Sequence, residues 1–255
     1  MSVAASASHK LCRVLEEDRE LGESLAPEIR EQALKECLAR EIAIPAGPWS
    51  GSQVLASEEG IGLLVLSGLL IRRVGIEARF GAELLGEGDL LRPWQGEDEP
   101  PMLPLTTGWQ MLEPTRMAVL DEAFARRMAR YPSLSGRLVG RAIQRSRNLA
   151  VNMAIVHQAR VDVRLHMLLW HLAARWGRVR REDISLPLRL THAVLADLTA
   201  ARRPTVTSAL SELAKRGFVR SVEGGFALAG DPPGELLELA PVPSSFISQR
   251  GSVPT

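Results

Sequence analysis

The stretch LTHAVLADLTAARRPTVTSALSELAKRGFV, residues 190–219, decides how the rest of the chain is read. Val206, Ala209, Leu210 and Leu213 recur at i, i+3, i+4 and i+7, so they share one face of a helix that Gly217 stops. That stripe needs a partner close by. A shorter helix precedes it, with Thr191 as N-cap and Val194, Leu195 and Leu198 on its apolar side, and only about four residues separate the two. Two short helices joined by so tight a turn form a helix-turn-helix, whose second helix offers its N-terminal end to the major groove of DNA.

The first turn of that second helix fits this use. Pro204 costs no intrahelical hydrogen bond there, while the free backbone N–H groups and the helix dipole favour a phosphate. Arg202 and Arg203 bring charge, and Thr205, Thr207, Ser208 and Ser211 reach phosphates or base edges without steric bulk. Thr191 and Lys215 complete the candidate DNA-binding set on the two helices. Next comes FVRSVEGGFAL (218–228), two short β runs around Glu-Gly-Gly, which is a hairpin signal. A helix-turn-helix followed by a hairpin is a winged helix, and Arg220 lies on its wing near the DNA backbone. Charge agrees with this assignment. The whole chain carries a net charge of only +1, yet residues 175–222 hold ten Lys and Arg against four acids, which leaves the remainder at −5.

Outside this module, 255 residues with 45% apolar content suffice for one large or two ordinary domains. The longest apolar run, IGLLVLSGLLI (61–71), is about half of what a bilayer-spanning helix needs and contains a Ser-Gly turn signal, so it reads as a core hairpin and no membrane association is expected. MSVAASASHK at the start lacks the order of a secretory signal, and with only Cys12 and Cys37 in the chain a reducing cytoplasm fits best. Neither two thiols nor the spacing of the five histidines makes a standard metal site, and no bound metal is expected.

Residues 1–41 read as a helical segment and 42–132 as short apolar runs punctuated by Gly, Pro and acidic turns, the pattern of a small antiparallel β-barrel or jelly roll. The proline-rich piece 92–105 interrupts those strands as a loop. From 133 to 160 the pattern is helical, with Ser133 or Ser135 as cap and Leu138, Ala142, Leu149, Met153 and Val156 near heptad spacing. That row either packs in cis or pairs with its twin in a dimer; spacing alone leaves both open. A second helix carries Val161, Leu165, Leu168, Leu169 and Leu172 and ends at Gly177, within a winged-helix domain at 161–230, and residues 231–255 form a Pro- and Ser-rich tail read as flexible. The fold class is therefore α+β.

The 190–219 stretch resembles the C-terminal domain of the cyclic-AMP receptor and fumarate-nitrate regulator family of bacterial transcription factors. The resemblance extends to the LSG run at 66–68, the Gly88-Asp89 turn and MAVLDEAF at 117–124, and it makes the helix from 133 the family's dimerisation helix. It implies a cyclic-nucleotide-binding-like barrel, a homodimer on a pseudopalindromic operator, and RNA polymerase as a candidate partner. Arg203 falls where the family places an arginine that reads guanine, and Thr205 where it contacts phosphate. Two departures matter. Pro204 and Ser208 replace the glutamate and second arginine of the cyclic-AMP receptors, so the operator differs. After Gly88-Asp89 comes Leu90-Leu91-Arg92-Pro93-Trp94 instead of the Gly-Glu and Arg-Ser-Ala runs that grip a cyclic phosphate, which argues against a cyclic nucleotide and leaves the effector unknown. The cysteine count excludes the iron–sulfur branch, and His157, His166, His171 and His192 read as packing or surface groups rather than haem ligands.

Three function classes compete. A homodimeric, sequence-specific DNA-binding regulator of transcription leads. A protein-binding adaptor that uses the winged helix on another protein is the alternative. An enzyme finds no support, because the chain has no nucleophile elbow, no glycine-rich phosphate loop before a helix and no convergent His, Asp and Ser arrangement.

Overall fold

The computed structural model describes residues 10–51, 60–76, 79–94 and 105–234, and the chain divides into two compact units, 1–147 and 148–255. The tail read as flexible lies outside the described residues apart from 231–234, as do residues 95–104 of the proline-rich piece.

The first unit opens with β1 (Leu11–Arg13), α1 (Val14–Glu17), α2 (Arg19–Glu23) and α3 (Pro27–Glu36). Its remaining strands are β2 (Leu38–Ile44), β3 (Gly47–Trp49), β4 (Gly62–Ser67), β5 (Leu69–Ile76), β6 (Arg79–Gly86), β7 (Leu90–Leu91), β8 (Leu105–Met111) and β9 (Thr115–Leu120). They form two antiparallel sheets, ordered β1-β2-β9-β4-β7 and β3-β8-β5-β6. Their inner faces share one core, in which Ile42, Leu63, Val65, Met117 and Val119 of the first sheet meet Trp49, Leu70, Leu85 and Met111 of the second. This is a sandwich of jelly-roll type, as the strand pattern implies, and among the described residues its sheets are not joined into a closed barrel.

Two local expectations need correction. Strand β2 starts at Leu38, inside the stretch read as helical, because its charged positions disguise the alternation: Glu41 is buried on the strand and paired with Arg116 of β9 at 2.8 Å. The 61–71 run is not a hairpin either. β4 pairs with β7 and β9, whereas β5 pairs with β6 and β8, so the chain passes at Gly68 from one sheet to the other. Gly68 has φ +101°, and a Cβ there would lie 2.6 Å from the Pro114 carbonyl oxygen.

The outer face of the first sheet is covered by α1 to α3, by α4 (Glu122–Met128) and by the start of α5 (Pro132–Val156), through Leu15, Leu21, Phe124, Leu134 and Leu138. Helix α5 begins at Pro132, whose fixed φ suits a first helical position, so Ser133 and Ser135 lie within the helix and do not cap it. Cys12 and Cys37 are buried in this layer, and burial pushes both thiols up to about 11, so they stay protonated at neutral pH.

In the second unit follow α6 (Val161–Trp176), β10 (Arg178–Val179), β11 (Ile184–Leu186), α7 (His192–Leu198), α8 (Arg203–Lys215), β12 (Val219–Val222) and β13 (Gly225–Leu228). Its sheet is ordered β10-β11-β13-β12. Among the described residues no helix is long and apolar enough to cross a membrane.

Gly68→Ala should destabilise the chain by about 1–3 kcal/mol through strain and overlap at the crossing between sheets, read as a lowered midpoint in chemical denaturation of the full chain.

Candidate nucleic-acid interface

Helix α6 is the platform of the second unit. Leu165, Met167, Leu168, Leu169, Leu172 and Ala173 are all buried, and His166 joins them: its Nε2 accepts from Trp170 Nε1 at 3.1 Å, while its ring stacks on Phe218 with centroids 5.1 Å apart. His166 is therefore a core residue, whereas His171 is half-buried, and desolvation holds its pKa below the usual imidazole value.

On this platform sits α7, capped by Thr191, whose hydroxyl accepts from Val194 N at 3.2 Å. Residues 199–202 make the turn to α8. Thr199 is fully buried with its hydroxyl on Leu195 O at 2.7 Å, and Arg164 of α6 donates to Thr199 O at 3.2 Å. Ala200 takes φ +48°, the left-handed conformation usually left to glycine. The turn is thus tied to α7 by Thr199 and to the platform by Arg164, which fixes the angle between the helices.

Helix α8 buries Val206, Ala209, Leu210 and Leu213, the four residues that the spacing predicts. Arg202, Arg203, Pro204, Thr205, Thr207, Ser208, Ser211 and Lys215 are all exposed. Arg202 occupies the N-cap position with no side-chain cap, and Pro204 lies in the first turn, so backbone N–H groups at the tip stay open for an anion. The three hydroxyls at Thr207, Ser208 and Ser211 donate to the carbonyls four residues earlier, at 3.1, 3.3 and 3.0 Å. Sequence reasoning overlooked His192: its Nδ1 lies 2.8 Å from Thr207 Oγ1, joining the start of α7 to the exposed face of α8. A histidine one residue after an N-cap gives no sign in sequence of facing a threonine fifteen residues on.

The wing is the β12–β13 hairpin, which turns at Gly224 with φ +83°. Arg220 stands on β12 as expected, largely exposed, with its guanidinium 3.1 Å from Asp183. Arg216 stacks over Phe218 at 4.6 Å.

Residues 163–229 match the family model described as a Crp-like helix-turn-helix domain. The second unit therefore carries a Crp-like helix-turn-helix domain. No curated protein matches the sequence. Among solved structures, the chain is similar to a cyclic nucleotide-binding domain containing protein from Listeria monocytogenes, at 15% identity over 83% of this chain and 96% of that one with a TM-score of 0.60. It is also similar to a CooA mutant from Carboxydothermus hydrogenoformans, at 20% identity over 82% and 88% with a TM-score of 0.56. A CRP-family transcriptional regulator from Thermus thermophilus follows at 16% identity over 77% and 93%, with a TM-score of 0.50. At these identities the likeness to solved structures is one of fold.

Two further places carry exposed apolar or buried charged groups. Along α5, Leu138 is only 4% exposed and packs in its own chain's core, the cis alternative that the spacing left open. Ala142 and Met153 are exposed, and Leu149 and Val156 half-buried. The exposed apolar row is instead Val139, Ile143 and Met153, with Ser146 and Ala150 at the intervening heptad positions.

On the inner face of the second sheet, Trp49, Trp109, Arg72 and Glu83 form one cross-strand row. Arg145 of α5 grips Glu83 bidentately at 2.6 and 2.8 Å and donates to Leu90 O at 2.8 Å, while Arg72 reaches the same carboxylate at 3.0 Å and stacks on Trp109 at 5.7 Å. Burial lowers the pKa of Arg72, against the pull of Glu83. Glu83→Gln should cost about 3 kcal/mol, because it leaves two largely buried guanidiniums without a counter-ion; urea denaturation of the full chain measures it.

Proposed function

We propose that this protein acts as a homodimer on a pseudopalindromic DNA site, in the cytoplasm and without catalysis, with α8 of each protomer entering the major groove. The observation that carries the reading is the division of α8: its apolar side is buried on α6 and α7, while Arg202, Arg203 and four small hydroxyl residues stand exposed around an uncapped helix start. Arg203 is the guanine reader, Thr205 and the open N–H groups hold phosphate, and Arg220 follows the backbone from the wing. The two copies pair along Val139, Ile143 and Met153 of α5, an exposed row at heptad spacing.

An effector at the sandwich interior fits the fold, and its chemistry differs from that of a cyclic nucleotide. Arg72 and Arg145, the guanidiniums on the inner face, are already matched to Glu83. Arg72 Nε and the indole N–H groups of Trp49 and Trp94 are buried without an acceptor, which suits a ligand that brings acceptors.

Selection of bound fragments from genomic DNA, followed by footprinting at salt where non-specific binding has faded, tests the reading. An inverted repeat with half-site centres about one helical turn apart supports it, and no sequence preference refutes it. On the selected site Arg203→Ala should cost about 1–3 kcal/mol and flatten preference at one base position. Equal weakening of every sequence would reduce Arg203 to a phosphate contact. Ile143→Asp should shift the protein towards monomer in sedimentation equilibrium and lower affinity for the two-fold site while leaving helical content unchanged; an intact dimer would move the interface elsewhere.

A further inference from the structure

We propose that Arg164 is a positioning residue that ties each reading helix to the helix through which the two copies pair, and so sets the spacing of the half-sites that the protein accepts. This rests on the DNA-binding and pairing readings above and adds the spacing of the site to them.

The link is a single guanidinium. Arg164 stands half-buried in the first turn of α6. Along one edge its Nε donates to Gln158 O and its Nη2 reaches Ala159 O at 3.5 Å, two successive carbonyls of the segment that joins α5 to α6. Its Nη1 donates to Thr199 O at 3.2 Å and reaches Ala200 O at 3.5 Å, two successive carbonyls of the turn between α7 and α8. Both segments follow the C-terminal end of a helix, where unpaired carbonyls and the helix dipole favour a cation. A planar fork with fixed donors serves both pairs at once only when the two segments stand in one relative position.

Other ties between these parts are weaker. Asp162 pairs with Arg160 of the joining segment at 2.6 Å and lies 3.8 Å from Arg216 at the end of α8, but both arginines are exposed, so water and salt screen these contacts. The turn also has little preference of its own for its shape. Ala200 sits at φ +48°, where a residue with a Cβ is strained, and it is kept there by Arg164 and by the bond from Ala201 N to Ala196 O.

The consequence for DNA is geometric. One added base pair moves a half-site by about 3.4 Å and turns it by about 35° around the duplex. A reading head held relative to the end of α5 cannot follow that displacement. A head released at the joining segment can.

The test uses the full chain and its selected operator, with both half-sites unchanged and the spacer between them shortened or lengthened by one and two base pairs. The wild type should lose about tenfold in affinity for a change of one pair. Arg164→Lys keeps the charge and the apolar stem but offers a point charge that cannot serve both carbonyl pairs. Its loss should fall to about threefold, while its affinity for a lone half-site and its base preference at the Arg203 position stay as in the wild type. Arg164→Met, which removes the donors, should be at least as tolerant of spacing. The proposal falls if Arg164→Lys keeps the wild-type spacing penalty, or if the wild type accepts every spacer equally. It falls also if Arg164→Lys weakens binding to the lone half-site, which would make Arg164 a support of the reading head's own fold. Absence of any preference for an inverted repeat would instead remove the DNA-binding reading, and a monomer in sedimentation equilibrium would remove the pairing reading, results distinct from these three.

Discussion

The seating of α8 by Val206, Ala209, Leu210 and Leu213 is the constraint on which the rest of the second unit depends. Each large side chain in that stripe stabilises the seat by ~1.5–3 kcal/mol through burial. Its four positions occupy one side of a helix of thirteen residues, so they dictate which residues face solvent. The platform then removes the remaining freedom: Arg164 and the buried Thr199 fasten the turn, and the contact between His192 and Thr207 links α7 to the outward face. The exposed face of α8 is thus held in rotation and tilt by the fold itself, which spares any ligand of that face the ordering cost that a mobile helix would incur.

How much of this the sequence disclosed depends on residue type. The α8 stripe, the Thr191 cap, the short turn and the wing were all legible, because local spacing and capping chemistry determine them. The jelly-roll class was legible from short punctuated strands. The crossing at Gly68 was not, since Leu-Ser-Gly-Leu describes a turn but not which strands its two sides will join. Strand β2 was hidden by Glu41, a charge that burial normally excludes and that Arg116 of β9 makes tolerable. His192 was hidden for the same reason: its partner is distant in sequence.

The row on the inner face of the second sheet shows the same limit more sharply. Glu83 reads as a solvated turn acid, yet it lies 9% exposed between two arginines. One of these comes from the neighbouring strand and the other from a helix about sixty residues later. A pair of this kind gains little net stability over apolar packing, but it is strongly directional. Its effect is to fix geometry: Arg145 can satisfy Glu83 and Leu90 O together only in one rotation of α5 about its axis.

That rotation explains why the heptad row of α5 mixes two faces. The helix carries two faces, not one. Leu134, Leu138, Arg141 and Arg145 recur at intervals of four, three and four and point to the first unit, the leucines into its core and the arginines onto Asp18 and Glu83. Val139, Ile143, Ser146, Ala150 and Met153 recur at intervals of four, three, four and three about 100° further round, and the three large apolar residues of this row are exposed. A reading by hydrophobicity skips the arginines, so it draws Leu138 from the inward row and Met153 from the outward one into a single stripe. Once Arg141 and Arg145 are recognised as inward groups, the rows separate. The outward row is then set by the inward one, because a helix cannot turn one face without the other. The ion pairs that anchor α5 to the sandwich therefore also decide which apolar side chains it leaves exposed.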